Sequence, residues 1–467
     1  MILTRDKSFY KNFFSLMVVL ALQNMIVLSV NLIDNIMIGS YSEEALSGVT
    51  AVNQIQYIFQ QLLMGSGDAL VVLGSQYWGQ NRTQPIKRIY VGGLMLGLCV
   101  GILLFVAASI IPDSMISIFT SNELHIQYGV EYINIIKFTY LIFPIITLTL
   151  SSLKSVETVK IAFVTSVVSL FINAGINYTL IYGNFGFPRM GVTGAAIGTL
   201  VARAVELTII FIYVFRIDKK LCYKFKDLFT FDRDSVVHYL KTCYMFVIVA
   251  VMFGLSTALQ TVILGHLDVS NFEGDAIAAN SISSTMYMML KVAAIGAASA
   301  ASITIGKSIG QNRIDKVKEY TKTLQIIFVC IGIITSITLF LIRIPILNLY
   351  TDISDNTRQL ANNFILVLCV TCIGTSYQMP VMTGIIRGGG DSAFVLKNDL
   401  VSIWGIVIPV SIIAAYVLKL HPVVIVVCLN ADQVFKCGAS FIKCNRYNWI
   451  KKLTKPETPS EALAKED

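Results

Sequence analysis

The sequence predicts an all-α integral membrane protein with twelve transmembrane helices, and three observations support this fold class. Of the 467 residues, 55% are hydrophobic and only 14% are charged, whereas soluble domains carry about 25% charged residues. The mean hydropathy is +0.70, which leaves too little polar surface to cover a water-soluble protein of this size. The apolar stretches run for about 20 residues, which suits membrane-spanning helices rather than the shorter, alternating strands of a barrel.

Twelve apolar segments follow one another along the chain. Their approximate bounds are 13–38, 50–73, 89–112, 131–150, 161–182, 193–215, 238–265, 275–305, 323–350, 360–386, 395–417 and 420–442. Lys and Arg cluster at the N-terminus, in alternate connections and in the C-terminal tail. Because basic loops stay on the cytoplasmic side, we expect a multi-pass protein of the plasma (inner) membrane with both termini in the cytoplasm. The tail 451–467 is polar, and we expect it to be disordered.

Charge and cysteine content exclude several classes of function. The formal net charge is +8, but the basic residues lie in short loops, where membrane topology uses them, so we expect no nucleic-acid partner. Cys369 and Cys372 form a CxxC spacing inside an apolar segment, and we interpret them as small helix residues. The four histidines are scattered and make no metal set. No GxxxxGK(S/T) pattern exists, and we predict neither an enzyme nor a bound cofactor.

The sequence contains an internal repeat. GQNR occurs at 79–82 and again at 310–313, each time at the end of the second long helix of a half. Other similar landmarks follow in the same order, including LSSLKSVET at 150–158 and TGIIRGGGD at 383–391. Since each half has an even number of helices, we expect two six-helix lobes related by a pseudo-two-fold axis along the membrane normal. The predicted lobes are 1–215 and 235–450, joined by a cytoplasmic linker at 216–234.

These landmarks resemble the multidrug and toxic compound extrusion (MATE) family, in its prokaryotic form. The resemblance covers nearly the whole chain and rests on an ordered set of motifs. They are NLIDNIMIG at 31–39, SQYWGQ at 75–80, INAGINYTLIYGNFGFPRMGVTGAAIGT at 172–199, DAIAAN at 275–280 and GIIRGGGDSAF at 384–394. The resemblance implies two lobes around a central cavity and export of amphipathic cations in exchange for Na⁺ or H⁺.

One group of polar residues lies at a common depth in the first half. Asp34 is about 20 residues into the first helix, roughly 30 Å along it, and Asn31 is one turn before it. Asn173 and Asn177 share a face of the fifth helix, and Thr199 returns to the same depth on the sixth. These oxygens suit Na⁺, and they suit a proton equally well because a carboxylate out of water favours its neutral form. The family resemblance points to the same positions, although some relatives have a second aspartate where Asn177 stands.

The second half lacks equivalent groups. The position matching Asp34 is Gln260, and those matching the two asparagines fall near Ile406 and Val410. We therefore expect cation coupling to be confined to the N-terminal half, with no metal site beyond a possible Na⁺ at Asp34. Many relatives have a proline in the first helix where this chain has Val19, so we do not carry over a mechanism based on helix bending.

Two further sets of residues are candidates for a substrate cavity. The first recurs at spacings of three and four on the second helix and ends in an intramembrane acid, which suits the wall of a wet cavity for a cation. Hydrogen bonds between helices are an equally good interpretation. The second set belongs to the eighth helix, where adaptable side chains form a binding wall or simply pack. The first set is the stripe Asn53, Gln56, Gln60, Met64 and Asp68, flanked by Tyr57, and the second is Met286 and Tyr287.

We therefore predict a secondary active antiporter that works by alternating access on a small organic cation. We expect it to act as a monomer in the lipid bilayer. A lipid-linked precursor flippase of related architecture is the alternative, and it requires a cavity rich in Arg and Lys. The membrane segments offer few cations beyond Lys137 and Lys291. An integral-membrane enzyme requires a catalytic cluster of His, Ser or acid side chains that the sequence does not present.

Overall fold

The structure, a computed structural model, describes residues 3–229, 232–265, 276–348 and 354–456. Within these ranges the regular structure is entirely helical. The α-helices are α1 Lys7–Gly39, α2 Glu43–Gly79, α3 Gln84–Ile110, α4 Pro112–Ser117, α5 Glu123–Ile136, α6 Thr139–Ser155, α7 Lys160–Leu180, α8 Val192–Ile212, α9 Arg233–Gly265, α10 Ala276–Gly310, α11 Ile314–Leu347, α12 Asp355–Met379, α13 Ser392–Asp399, α14 Ile408–Ile412, α15 Pro422–Leu429 and α16 Asp432–Arg446.

The predicted twelve-helix membrane fold is confirmed. Ten helical segments of the described chain are long and apolar enough to cross a membrane, and the bent pair α5–α6 is together long and apolar enough for one more span. Helix α2 completes the set: its 37 residues reach about 55 Å at 1.5 Å per residue, although polar side chains along one face lower its hydropathy. Several helices extend beyond their apolar segments, because backbone hydrogen bonding continues into the polar interface where the hydrophobic pattern ends.

The fourth span departs from the continuous helix that its apolar pattern predicts. It bends by 56° between α5 and α6. Pro144 lies inside α6, and a proline cannot donate a hydrogen bond to the carbonyl four residues earlier. That carbonyl belongs to Tyr140, and its oxygen lies so close to Gly101 of α3 that a Cβ at Gly101 would clash with it. The packing of α3 against α6 therefore depends on a glycine, a feature that hydrophobic periodicity does not reveal.

The sequence repeat has a structural counterpart in two pairs of turns. Asn81 after α2 and Asn312 after α10 adopt left-handed backbone conformations with φ of 57° and 58°, which asparagine tolerates better than most residues. The following residues close the turns through Arg82 N to Tyr77 O at 3.0 Å and Arg313 N to Ser308 O at 3.1 Å. Positive φ also recurs at Glu157 and Gly390, in the other repeated landmark. Matching turns at matching positions support an internal duplication.

The chain divides into two compact units. Unit 1 comprises Met1–Ala21 and Val251–Leu453, and unit 2 comprises Leu22–Ala250 and Thr454–Asp467. The unit boundaries thus fall inside α1 and α9, so the first part of α1 packs with the second half of the chain. The core of unit 1 includes Phe364 and Leu339, and that of unit 2 includes Phe59 and Tyr140. The domain bounds 1–215 and 235–450 stay a prediction.

The C-terminal segment closes against the glycine-rich turn of unit 1. Trp449 is fully buried, and its ring occupies the space that a Cβ at Gly389 would need. Lys451 N donates a hydrogen bond to Gly389 O at 2.8 Å. In unit 2, Gln80 Nε2 donates to Thr454 Oγ1 at 2.7 Å. The first residues of the predicted disordered tail therefore make defined contacts, and 457–467 lie outside the described residues.

Candidate functional site

The polar residues of the first half meet in unit 2. Asp34, near the end of α1, is half-buried, and Asn177 of α7 is fully buried. Asn177 Nδ2 donates a hydrogen bond to Asp34 Oδ1 at 2.6 Å. Asn173, one turn earlier on α7, also hydrogen-bonds the Asp34 carboxylate. The i,i+4 spacing of the two asparagines is what lets one helix present both amides to one acid.

The cluster continues to α8. Asn173 Nδ2 lies 3.3 Å from Thr199 Oγ1 and donates to it, and Asn177 Nδ2 lies 3.4 Å from Asn173 Oδ1. Thr199 is half-buried, while Asn173 is buried. Three helices thus contribute one carboxylate, two amides and one hydroxyl to a connected group, at the positions that the sequence predicts.

One acceptor in this cluster is unused. Asn177 Oδ1 is buried and accepts no hydrogen bond from the described residues. It lies against Gly198 of α8, where a Cβ would clash with it. A buried carbonyl oxygen without a donor is unfavourable unless it meets a cation, a proton or water. Beside the Asp34 carboxylate, this oxygen is suited to bind a small cation.

Two charged or polar neighbours were not part of the predicted site. Arg203 of α8 acts electrostatically on Asp34. Its guanidinium donates to Glu206 Oε2 at 2.8 Å, as their i,i+3 spacing predicts, and lies 4.8 Å from the centroid of the Phe143 ring. Tyr132 of α5 is buried and hydrogen-bonds Thr199. The sequence signal was present for Arg203, an arginine inside an apolar helix, but its proximity to Asp34 depends on how α8 is rotated.

Other predicted residues lie apart from this cluster. Asn31 is exposed on α1, and among the described residues no hydrogen bond joins it to Asp34. Tyr57, beside the predicted stripe on α2, is 38% exposed, and its hydroxyl accepts a hydrogen bond from Gln61 Nε2 at 3.1 Å. Asp68 acts electrostatically on Lys154 of α6, which favours a role between helices. Within the stripe Asn53, Gln56, Gln60 and Asp68 are half-buried, and Met64 is 48% exposed.

The two residues of the predicted binding wall on α10 lie in different environments. Met286 is 4% exposed and packs in the core of unit 1. Tyr287 is half-buried, and its hydroxyl donates to Thr375 Oγ1 at 2.7 Å. Of this pair only Tyr287 reaches a partly exposed surface.

Charges on the helices of unit 1 form a second cluster that the sequence pattern does not reveal. Lys436 of α16 is buried and contacts Asp399 Oδ1 at 2.8 Å and Asp432 Oδ2 at 3.1 Å. The pairing of Asp432 with Lys436 follows from their i,i+4 spacing, but Asp399 comes from a different span. Only helix packing brings Asp399 to the other two charges.

Comparison with known proteins agrees with this architecture. A family model described as MatE matches residues 20–179 and 265–413. A probable multidrug resistance protein NorM of Bacillus cereus is 25% identical over 413 residues, covering 87% of this chain and 88% of that protein. Another NorM, from Thermotoga maritima, is 22% identical and covers 92% of this chain and 91% of that protein.

Solved structures agree as well. A multidrug resistance MATE family transporter of the MOP superfamily, in an outward-facing conformation, superimposes with a TM-score of 0.84. That comparison covers all of both chains at 16% sequence identity, so it speaks for the fold alone. The family model, in contrast, matches more than half of the sequence itself. This chain therefore belongs to the MATE family of transporters.

Proposed function

We propose that the protein is a secondary active antiporter that exports amphipathic organic cations in exchange for H⁺ or Na⁺. The observation that carries this proposal is the hydrogen bond of 2.6 Å between Asn177 and Asp34, an ionisable group inside a membrane helix of a transporter family. Such groups are costly in a bilayer and mark ion pathways. The names of the NorM relatives support multidrug export.

In this proposal Asp34 is the coupling group. A cation from outside neutralises its carboxylate and uses the free Asn177 oxygen, while Asn173 and Thr199 complete a polar shell. Neutralisation changes the relative free energies of the inward-open and outward-open states, which are the states of alternating access. Coupling between two ligands is typically worth about 1–3 kcal/mol, and the inward gradient of the cation supplies the driving force for export.

Only one carboxylate lies in the described part of this cluster, because position 177 is asparagine. Arg203 adds a positive charge, and Glu206 balances it at 2.8 Å. A single acid is sufficient for one proton or one Na⁺ per cycle. We further propose that the protein lies in the plasma (inner) membrane with both termini in the cytoplasm, since Lys and Arg are concentrated in the connections on that side.

The deciding experiment measures efflux of a fluorescent lipophilic cation from proteoliposomes, with Na⁺ and pH gradients imposed separately. We expect one gradient to drive efflux in the wild type and expect Asp34→Asn to reduce the driven rate at least tenfold. Asp113→Asn is the matched control, because it makes the same change at an exposed acid in α4. That control should transport at the wild-type rate.

The outcomes separate the candidate functions. If Asp34→Asn exports the cation at the wild-type rate under an imposed gradient, Asp34 is ruled out as the coupling group. No efflux by the wild type under either gradient would count against a cation exporter. In that case, gradient-independent movement of a fluorescent lipid-linked sugar between leaflets would favour the flippase alternative.

A further inference from the structure

Lys291, midway along α10, lies among aromatic rings in unit 1. Its Nζ is 5.6 Å from the centroid of the Phe253 ring and 5.8 Å from that of Tyr287. Both distances are within the range of cation–π attraction. Lys291 is half-buried and Phe253 is 44% exposed, so this aromatic pair is partly accessible.

The ring of Tyr287 is held in position by a chain of hydrogen bonds. Its hydroxyl donates to Thr375 Oγ1 at 2.7 Å, and the Thr375 hydroxyl donates to Gln433 Oε1 at 2.9 Å. Gln378 Nε2 donates to the same oxygen at 2.8 Å. Side chains of α12 and α16 therefore hold the Tyr287 ring of α10 in place, and a fixed ring loses little entropy when a ligand binds to it.

Both oxygens of the acid that acts on Lys291 are already engaged. Asp432 acts electrostatically on Lys291, but its Oδ1 accepts from Gln433 Nε2 at 2.8 Å and its Oδ2 contacts Lys436 at 3.1 Å. Lys436 also pairs with Asp399. The two carboxylates and Lys436 leave one net negative charge, which Lys291 balances from a distance. Lys436 and Cys372 of α12 are the other titratable groups that act on Lys291.

The helices that carry this cluster are irregular beside the charged residues. The last span breaks between α15 and α16, directly before Asp432, and a π-helix at Leu400–Val407 begins directly after Asp399. Interrupted helices and π-bulges concentrate at functional sites in membrane proteins. A structural ion cluster alone does not require two such irregularities.

We propose that Phe253 and Tyr287 form a binding site for an organic cation, in which Lys291 is a resident competitor. In the empty site the Lys291 ammonium lies against the rings of Phe253 and Tyr287. An entering cation takes that place, and Lys291 releases its proton to water. This inference rests on the proposed export of organic cations and names a site and a proton exchange for it.

The exchange balances in charge. The N–H bond of the ammonium breaks, its electron pair stays on nitrogen, and the proton leaves as hydronium or on buffer. The positive charge of the ligand replaces that of Lys291, so the charge facing Asp432 and Asp399 is unchanged. Binding of the substrate is thereby linked to release of one proton in unit 1, independently of the acid at Asp34 in unit 2.

The test is equilibrium binding of tetraphenylphosphonium to the purified full chain at pH 7 and pH 9.5, without any gradient. Wild type should bind at least tenfold more tightly at pH 9.5. Lys291→Met should bind tightly at both values, and Lys291→Arg weakly at both, because a guanidinium keeps its charge. Adding Phe253→Leu to Lys291→Met should weaken binding several-fold.

Two controls make the result specific. Lys318→Met removes an exposed lysine whose Nζ lies 5.8 Å from the centroid of the Tyr447 ring, and it should behave as wild type. Asp34→Asn should keep the pH dependence, which separates this site from the coupling acid: lost driven efflux with retained pH-dependent binding leaves the inference standing. If Lys291→Met fails to fold, Lys291→Arg carries the comparison.

Three results would overturn the inference. The first is unchanged affinity and pH dependence in both Lys291 variants. The second is an absence of tetraphenylphosphonium binding in wild type and Lys291→Met alike. The third is binding of an aromatic carboxylate that disappears in Lys291→Met, which would make Lys291 an anion site.

Discussion

At the scale of single residues, small side chains decide where the polar ones can act. Asn177 reaches Asp34 at 2.6 Å because α8 presents Gly198, and no Cβ, to the far side of the Asn177 amide. The carboxylate itself is only one part of the site. The hydrogen bond between Asn177 and Asp34 also depends on Gly198, a residue without a side chain on a different helix.

Gly198→Ala tests that dependence. The added Cβ would clash with Asn177 Oδ1, so we expect the amide to move away from Asp34, cation-driven efflux to fall at least tenfold, and stability to fall by about 1–3 kcal/mol, as overpacking usually costs. Gly175→Ala on α7 is the matched control, because a Cβ there meets nothing within 4 Å. Equal efflux from the two variants would show that the close contact has no role in coupling.

At the scale of elements, side chains at the ends and breaks of helices join separate segments of the fold. The turn between the tenth and eleventh spans contains Asp391, which is 5% exposed and contacts Lys443 and Lys451 at 2.8 Å each. Burial acts to raise the pKa of Asp391, but hydrogen bonds from the two lysines prevail and hold it below its usual value. Asp391 thus joins the turn, α16 and the C-terminal segment.

Asp391→Asn is expected to lower the melting temperature by several degrees at pH 7, since breaking hydrogen bonds to a buried charge costs about 1–3 kcal/mol. A depressed pKa in the folded state means that the contribution is full above the unfolded value, about 4, and is lost as pH falls through the folded value. Thermal unfolding at pH 7 and near pH 3 should therefore show a difference from wild type that shrinks in acid. A pH-independent difference would mean that the charge of Asp391 contributes nothing.

At the scale of the whole molecule, twelve spans place both termini on one side of the membrane, whichever side that is. We expect the connection 216–234 on the same side, because it follows the sixth of the twelve helices that the fold predicts to span the membrane. Its Arg and Lys residues favour the cytoplasm, where basic loops are retained during insertion. Orientation is thus a property of charge distribution, not of packing.

Labelling of Cys222 checks this orientation. Cys222 is exposed within that connection, so in a variant that retains Cys222 alone a membrane-impermeant maleimide should react in inside-out vesicles and not in intact cells. A single cysteine placed at exposed Asp113, in the connection between the third and fourth spans, should show the opposite pattern. Labelling of Cys222 in intact cells would show that the orientation in the membrane is opposite to the one proposed.

The sequence by itself determined the membrane class, the twelve spans, the repeated turns and the common depth of Asp34, Asn173 and Asn177. These follow from local physics: a bilayer requires apolar helices of about 20 residues, and the helical period places residues three and four apart on one face. Only the tertiary structure decided which faces meet. The close approach of Gly101 to the Tyr140 carbonyl, the contact of Gly198 with Asn177, and the aromatic pair around Lys291 depend on the rotation and depth of separate helices, which interhelical packing sets and local sequence does not encode.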